Sequence, residues 1–481
     1  MIDFKNLEKY RENNRIEAKK ALGGFPQSVW ETYSAFANTM GGIILLGVEE
    51  HSDYSLHAVD SADCGMLAGK FRLGVNDTSV VSVNVLSDKD ITVETADGKR
   101  IVVINVPCAG RCDRPVYIGG NPFTGTYRRN GEGDYKCTAE EVKSMLRDAA
   151  VKTPDMRILE NYDCGALDYE SVKRYRANVR LHSPEFLRGC PDDITLLCKV
   201  GAAGCGKDGK YRPTAAGLLS FGKESDITGE FPYYFLDYRE LGAGGAVTDR
   251  VYSGSGDWSG NLYDFYLKVH SKLSAAVACE TPYEDVESAL SEALANALVN
   301  ADYYGKGGVS AVKKTGGIIL SNPGRFRIQP EKAKTGGVSD PRNAAVIRIF
   351  GFAGVGNRSG SGIPKIFSVW KNRGWAPPSI TEEFNPDRIT VVLPFVPAED
   401  KSGRDNRENA GGLSDLRDKT AIRKAAVVDY LTDRAGATAG ELGRLLGVSA
   451  ETAVKTAEEL LLSGIVVSVK ESGLTVYKLK R

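Results

Sequence analysis

The sequence predicts a multidomain protein of mixed α/β (α+β) class, and three observations predict it. At 481 residues the chain exceeds the roughly 250 to 300 residues at which single hydrophobic cores stop growing, which implies about three domains. Short apolar runs such as Ile43-Ile44-Leu45-Leu46-Gly47-Val48 alternate with helical segments of 3.6-residue periodicity. Residues 397–415 are polar, glycine-rich and free of aromatic side chains, the composition of a flexible linker ahead of a separate module.

With 42% hydrophobic and 26% charged residues, the composition is that of an ordinary globular protein and excludes a disordered or fibrous chain. Lys plus Arg equals Asp plus Glu at 62 each, so attraction to phosphate has to come from local patches and not from the net field. Met1-Ile2-Asp3-Phe4-Lys5 opens on charges rather than on the apolar run of a signal peptide, and no stretch of about 18 apolar residues is present to span a membrane. A cytoplasmic protein with no membrane partner is expected. Nine cysteines at irregular spacings do not read as a disulfide framework. Cys108 and Cys112 are close, but without a second pair or a nearby His they read as buried thiols and not as a zinc set.

Residues 1–150 read as the first domain: a helical start, the strand Ile43–Val48, strands near Val80–Val85 and Ile101–Val106, and a closing helix from Thr138 to Ala149. Thr138-Ala139-Glu140-Glu141 is a capping-box signature, with Thr138 as N-cap and Glu141 reaching back. The second block, 151–396, places helices at Val286–Asn300 and Ile363–Asn372 and strands at Gly317–Leu320 and Ile389–Phe395.

The last module, 416–481, shows helices at Ile422–Leu431, Ala439–Leu446 and Ala450–Ser463, then two short strands joined by Glu471-Ser472-Gly473. This is the order of a winged helix-turn-helix. Leu442, Leu445, Leu446, Val454, Leu460 and Leu461 are its expected core, with Val448 and Ser449 forming the turn and the N-cap of the third helix. In such a module the third helix enters the major groove of duplex DNA. Thr452, Lys455 and Thr456 are the expected contacts to bases, and Arg444 and Lys470, with Lys478, Lys480 and Arg481, the expected contacts to phosphates. Glu451, Glu458 and Glu459 make the helix less basic than most, and such modules also serve protein contacts.

Arg15-Ile16-Glu17-Ala18-Lys19, followed by Ser34-Ala35-Phe36-Ala37-Asn38-Thr39-Met40-Gly41-Gly42 and the strand ending at Gly47-Val48, resembles the Schlafen-type AlbA domain. Arg114-Pro115-Val116-Tyr117 and Tyr127-Arg128-Arg129-Asn130-Gly131 match its later half, and the resemblance covers roughly residues 8–148. Gly41 and Gly42 permit a sharp helix-to-strand turn that Asn38 and Thr39 are expected to hydrogen-bond. Arg128 and Arg129 beside Tyr127 offer bidentate phosphate contacts next to a stacking ring, suited to single-stranded DNA or RNA, and equally suit surface salt bridges. In nuclease members an acidic cluster binds metal. The resemblance puts Glu12 and Glu17, with Glu49 or Glu50 as third acid, at those positions, where oxygen ligands suit Mg or Mn.

Ala289-Leu290-Ser291-Glu292-Ala293-Leu294-Ala295-Asn296 through Tyr303 resembles the helix of the RecG-like C-terminal domain of bacterial transcriptional regulators, also called divergent AAA. Ile319-Leu320-Ser321-Asn322-Pro323-Gly324, Asp340-Pro341-Arg342-Asn343 and Gly360-Ser361-Gly362-Ile363 follow in the family's order, and Pro213–Lys223 fits its lead-in. That domain is similar to the GHKL nucleotide fold. The resemblance gives Glu292 the water-activating position and Asn296 the Mg-coordinating one, a helical turn apart. It places Asn322 and Gly324 at the adenine-side loop and puts the backbone N–H groups of Gly360, Ser361 and Gly362 around phosphates. The adenine loop lacks the family's Asp, and Asn300-Ala301 stands where His-Arg is usual.

These readings combine into a homo-oligomeric, DNA-binding transcriptional regulator acting on a duplex operator, with a central domain that senses a nucleotide (ATP with Mg) or another effector. The rivals are a metal-dependent endonuclease using Glu12 and Glu17, and an ATP-driven switch.

Overall fold

A computed structural model of the chain describes residues 2–60, 62–277, 283–328, 330–356, 360–384 and 386–398, with scattered positions between 427 and 479. It divides into two compact units, Met1–Leu393 and Pro394–Arg481. The elements mix helices with several sheets, as an α+β multidomain chain requires.

The N-terminal part is built on a four-stranded sheet in the order Ile16–Lys19, Gly42–Leu46, Lys99–Val106, Ile91–Ala96. The first two strands are parallel, and the remaining neighbours are antiparallel. Val29–Asn38 and Cys64–Val75 cover one face, where Trp30, Tyr33, Phe36 and Phe71 pack with Ile44 and Ile104. Leu7, Leu45, Val48 and Ile101 fill the other face.

The expected helical start is instead a short 3-10 turn, Phe4–Lys9, followed by the strand Ile16–Lys19. Ile16 and Ala18 alternate with Glu17 and Lys19, so two apolar side chains reach the second core while the acids and lysines face away. Val80–Val85 forms no strand. Val80 lies in a turn and Val81 makes a single bridge to Ile118. Among the strands missing from the expectation is Ile91–Ala96, joined to the next by Asp97-Gly98, both at positive φ (51° and 75°), the backbone that a tight hairpin demands.

Ala139–Ala149 carries the expected capping box: the Glu141 carboxylate accepts from Thr138 N at 2.6 Å, and Thr138 Oγ1 accepts from Glu141 N at 3.3 Å. The central part then forms a six-stranded sheet in the order Val247–Tyr252, Leu236–Leu241, Val309–Lys314, Gly317–Pro323, Arg388–Pro394, Ser379–Glu383. Helices Tyr283–Val299 and Gly362–Asn372 pack together and match the expected Val286–Asn300 and Ile363–Asn372.

The two parts of the first unit interlock through partly buried ion pairs. Arg111 pairs with Asp340, Arg342 with Asp148, and Arg147 with Asp302. Arg325 Nη1 donates to Asn38 O at 2.7 Å.

The second unit contains a three-stranded antiparallel sheet, ordered Ala437–Thr438, Leu474–Leu479, Val466–Glu471. Its core includes Val427, Leu431, Leu442, Ala453, Ala457 and Leu460. Leu442 and Leu460 match the expected core, but Leu461 is 37% exposed and Val454 half-buried. Ala453, Ala457 and Leu460 recur at helical spacing and set the buried stripe instead. Linker residues 399–415 and the positions of Leu445 and Leu446 lie outside the described residues.

Candidate functional site

Glu292, Asn296 and Asn300 recur every four residues, which puts them on one face of the segment running through Tyr283–Val299. That face looks into a cavity of about 140 Å³ whose wall also includes Asn322, Gly360 and Gly362. Residues separated by seventy positions in the chain thus meet at one chamber. Ile363, Ile366 and Phe367 from the helix Gly362–Asn372, with Ile380, Ile389 and Val391 from the two outer strands, supply an apolar wall. A chamber with apolar walls and a few convergent polar groups is the usual build of a small-molecule site.

Glu292 lies against Gly362, where a Cβ would strike its carboxylate. A side chain at the first residue of the helix Gly362–Asn372 would have to displace the Glu292 carboxylate, which is placed at the positive end of that helix. Burial raises the Glu292 carboxyl above the ordinary carboxylate range, and the Lys365 ammonium opposes this. Gly360 adopts φ 69° with its Cα against the Val338 backbone, a position that only glycine fills without strain.

Two of the expected residues are not on the wall. Gly324, at φ 107°, donates its N–H to Asp387 O at 2.9 Å and packs on the Arg342 guanidinium, so it shapes a turn behind the chamber. Ser361 caps the helix Gly362–Asn372 from outside the lining, its carbonyl accepting from Lys365 N at 3.0 Å. Conversely, Asn300, Arg325, Arg327 and Asp340 line the chamber without having been singled out as ligand-binding residues. The charged residues directly after the Asn322-Pro323-Gly324 turn were the available signal.

Asn296, to which the resemblance gives the Mg role, lies on the chamber wall. Among the described residues no group of three His, Cys, Asp or Glu forms a metal site. A magnesium ion here would be held by the Asn296 amide oxygen together with ligand phosphates, the mode that Mg usually adopts with nucleotides.

The N-terminal candidates separate differently. Arg129 is 4% exposed and forms ion pairs with Glu17 at 2.8 Å and Asp134 at 2.9 Å. Its guanidinium also donates to Asn13 O and lies 5.2 Å from the Phe36 ring centroid. A side chain so enclosed takes the salt-bridge alternative of the two that the sequence left open. Arg128 pairs with Glu141 at 2.9 Å, the salt-bridge alternative weighed above. Glu17 bonds Lys19 as well as Arg129, while Glu12 accepts from Ala18 N at 2.8 Å and is half-buried. Burial, joined by the charges of Glu17 and Glu50, raises the Glu12 carboxyl. Glu49 pairs with Lys20, and the Glu50 carboxylate accepts from Glu12 N at 3.4 Å. The acids are thus engaged by cations and backbone N–H groups, and the metal cluster of a nuclease is not assembled among the described residues. Cys108 and Cys112 are not the expected buried pair: the first is half-buried and the second exposed.

In the second unit Lys470 is exposed on Val466–Glu471. Arg444, Thr452, Lys455 and Thr456 lie outside the described residues. No described helix is long and apolar enough to cross a membrane.

Comparison with known proteins finds three family models. Residues 12–138 match "Schlafen, AlbA_2", residues 143–237 a domain of unknown function (DUF8451), and residues 316–393 "Putative ATP-dependent DNA helicase recG C-terminal". Among solved structures, the DIP2311 protein from Corynebacterium diphtheriae is 16% identical, over 97% of this chain and 94% of that one, at a TM-score of 0.41. The "N-terminal Domain of Putative ATP-dependent DNA Helicase RecG-related Protein" from Nitrosomonas europaea is 30% identical, over 29% of this chain and 95% of that one, at a TM-score of 0.22. No curated protein matches the chain.

Proposed function

Because the chain carries a Schlafen AlbA_2 domain over residues 12–138 and a RecG C-terminal, HATPase-like domain over 316–393, we propose that it is a DNA-binding regulator whose central cavity senses a nucleotide. The observation that carries this reading is the gathering of Glu292, Asn296, Asn322, Gly360 and Gly362 around one chamber. Asn296 holds Mg, the Gly360 and Gly362 backbones approach the phosphates, and the apolar wall takes the base. Glu292, if hydrolysis occurs, is the base that activates water. DNA is held by the AlbA_2 domain and by the C-terminal unit, read as a winged helix in which Lys455 and Lys470 serve the duplex. Nucleotide state reaches the DNA-binding part through Arg325 and Asp340, which line the chamber and also bond Asn38 and Arg111.

Calorimetric titration with ATP and Mg tests the site. The wild type should bind, and Asn296→Ala should lose binding, since Mg tolerates a missing oxygen ligand poorly. Glu292→Ala should keep binding and lose any hydrolysis, because a general base acts in the chemical step and not in ground-state affinity. Absence of heat and of thermal shift at millimolar nucleotide refutes nucleotide sensing. Binding that survives in Asn296→Ala refutes the metal role alone.

A further inference from the structure

Arg327 buries two guanidinium nitrogens, Nε and Nη2, without a hydrogen-bond partner among the described residues. Its side chain is 4% exposed, yet it lines the open chamber. Nη1 donates to Pro341 O at a long 3.3 Å, and Nη2 is 3.3 Å from Asp340 Oδ1 without hydrogen-bond geometry. A guanidinium presents five donors and cannot shed its charge, so leaving two of its nitrogens unbonded in a buried position is costly.

Its one ion-pair partner among the described residues, Asp340, is shared with Arg111, and Asp148 is taken by Arg342. Arg327 thus stands beside two like guanidiniums, Arg111 and Arg342, that compete for the same carboxylates. Burial and the charges of Arg111 and Arg342 lower the Arg327 guanidinium below its ordinary value, with Asp340 and Asp148 opposing. Structural arginines in this protein look different: Arg129 and Arg342 each satisfy their forks with carboxylates and backbone carbonyls.

We propose that Arg327 is an anion subsite of the chamber, and that the ligand it takes is a phosphate group. The unbonded fork and the cavity beside it call for a compact anion with several acceptor oxygens, which a phosphate offers bidentately. The phosphate belongs either to a nucleotide lying in the chamber or to a free phosphate or pyrophosphate. The inference rests on the chamber being a ligand site, and not on the base that the ligand carries.

The test uses the full chain, with pyrophosphate, Mg–ATP and adenosine as separate probes in thermal-shift and calorimetric titrations. The wild type should respond to pyrophosphate and ATP and far less to adenosine. Arg327→Met should lose the pyrophosphate response and weaken ATP by about tenfold or more, the worth of one charge-assisted hydrogen bond. Its ligand-free Tm should not fall, because an unsatisfied buried cation has been replaced by an apolar side chain of similar length. Arg327→Lys keeps the charge but not the fork, and should fold and bind with intermediate affinity. A pyrophosphate response that persists in Arg327→Met, or is missing in the wild type, overturns the proposal. Pyrophosphate binding without ATP binding refutes the nucleotide reading alone. Equal binding of ATP and adenosine, unchanged in Arg327→Met, refutes the subsite alone.

Discussion

Asn38 shows what the residues of the Ala-Phe-Ala-Asn-Thr run accomplish. Its amide nitrogen donates to Val116 O at 2.7 Å and Tyr127 O at 3.0 Å, and its oxygen accepts from Val116 N at 2.8 Å. Thr39 Oγ1 donates to Ala35 O and accepts from Arg129 N. The sequence suggests that Asn38 and Thr39 bond their own turn. Thr39 does so within its helix, but Asn38 joins two segments about eighty to ninety residues away, which no local pattern encodes. Asn38→Ala takes the side-chain partner from Val116 N and Tyr127 O, while Val116 O keeps Ser34 Oγ, so a loss of about 2 kcal/mol is expected in denaturant unfolding. Gly41 and Gly42 were legible for a different reason. Gly41 has φ 71° and a Cβ would meet Val106 O at 2.6 Å, while at Gly42 it would meet the Phe36 ring at 2.7 Å. For Arg129 the sequence left phosphate contact and salt bridge open, because it shows that an arginine is charged but not that Glu17 and Asp134 enclose it.

Elements with both a periodicity and a punctuating residue were read correctly. The helix Ala139–Ala149 had its Thr138 and Glu141 signature, and Thr138→Ala should cost about 1 kcal/mol in the same unfolding assay, with the helix otherwise retained. Strands of three to six residues were harder. Ile16–Lys19 alternates visibly but is too short to outweigh a helical reading, and Val309–Lys314 ends on two lysines that hide its alternation. Asp97-Gly98 marked a hairpin that the expected strands did not use. In the C-terminal unit the hairpin Val466–Glu471 with Leu474–Leu479 agrees with the expected two strands. Lys470→Glu on its exposed edge should weaken duplex binding and lower the salt slope by about one, as loss of a phosphate contact does. An unchanged slope removes this hairpin from the DNA interface.

At the scale of the molecule, the first 393 residues behave as one compact unit, although length and motifs suggest a boundary near 150. The cause is a set of long-range pairs: Arg111 with Asp340, Arg342 with Asp148, and Arg325 with the carbonyls of Asn38 and Thr39. The chamber residues of the central part were legible from motif order, since Glu292, Asn296, Asn322, Gly360 and Gly362 all reach its wall. Its link to the N-terminal part was not, because these arginines and acids carry no pattern that names their partners. That link places one wall of the chamber directly against the turn that follows Val29–Asn38.

Amide hydrogen exchange of the full chain, with and without Mg–ATP, measures binding and coupling together. The account predicts slower exchange at 292–300 and 322–327, where the ligand is held, and also at 36–42, which no ligand in the chamber touches but Arg325 does. Unchanged exchange at all three segments under millimolar nucleotide would contradict it.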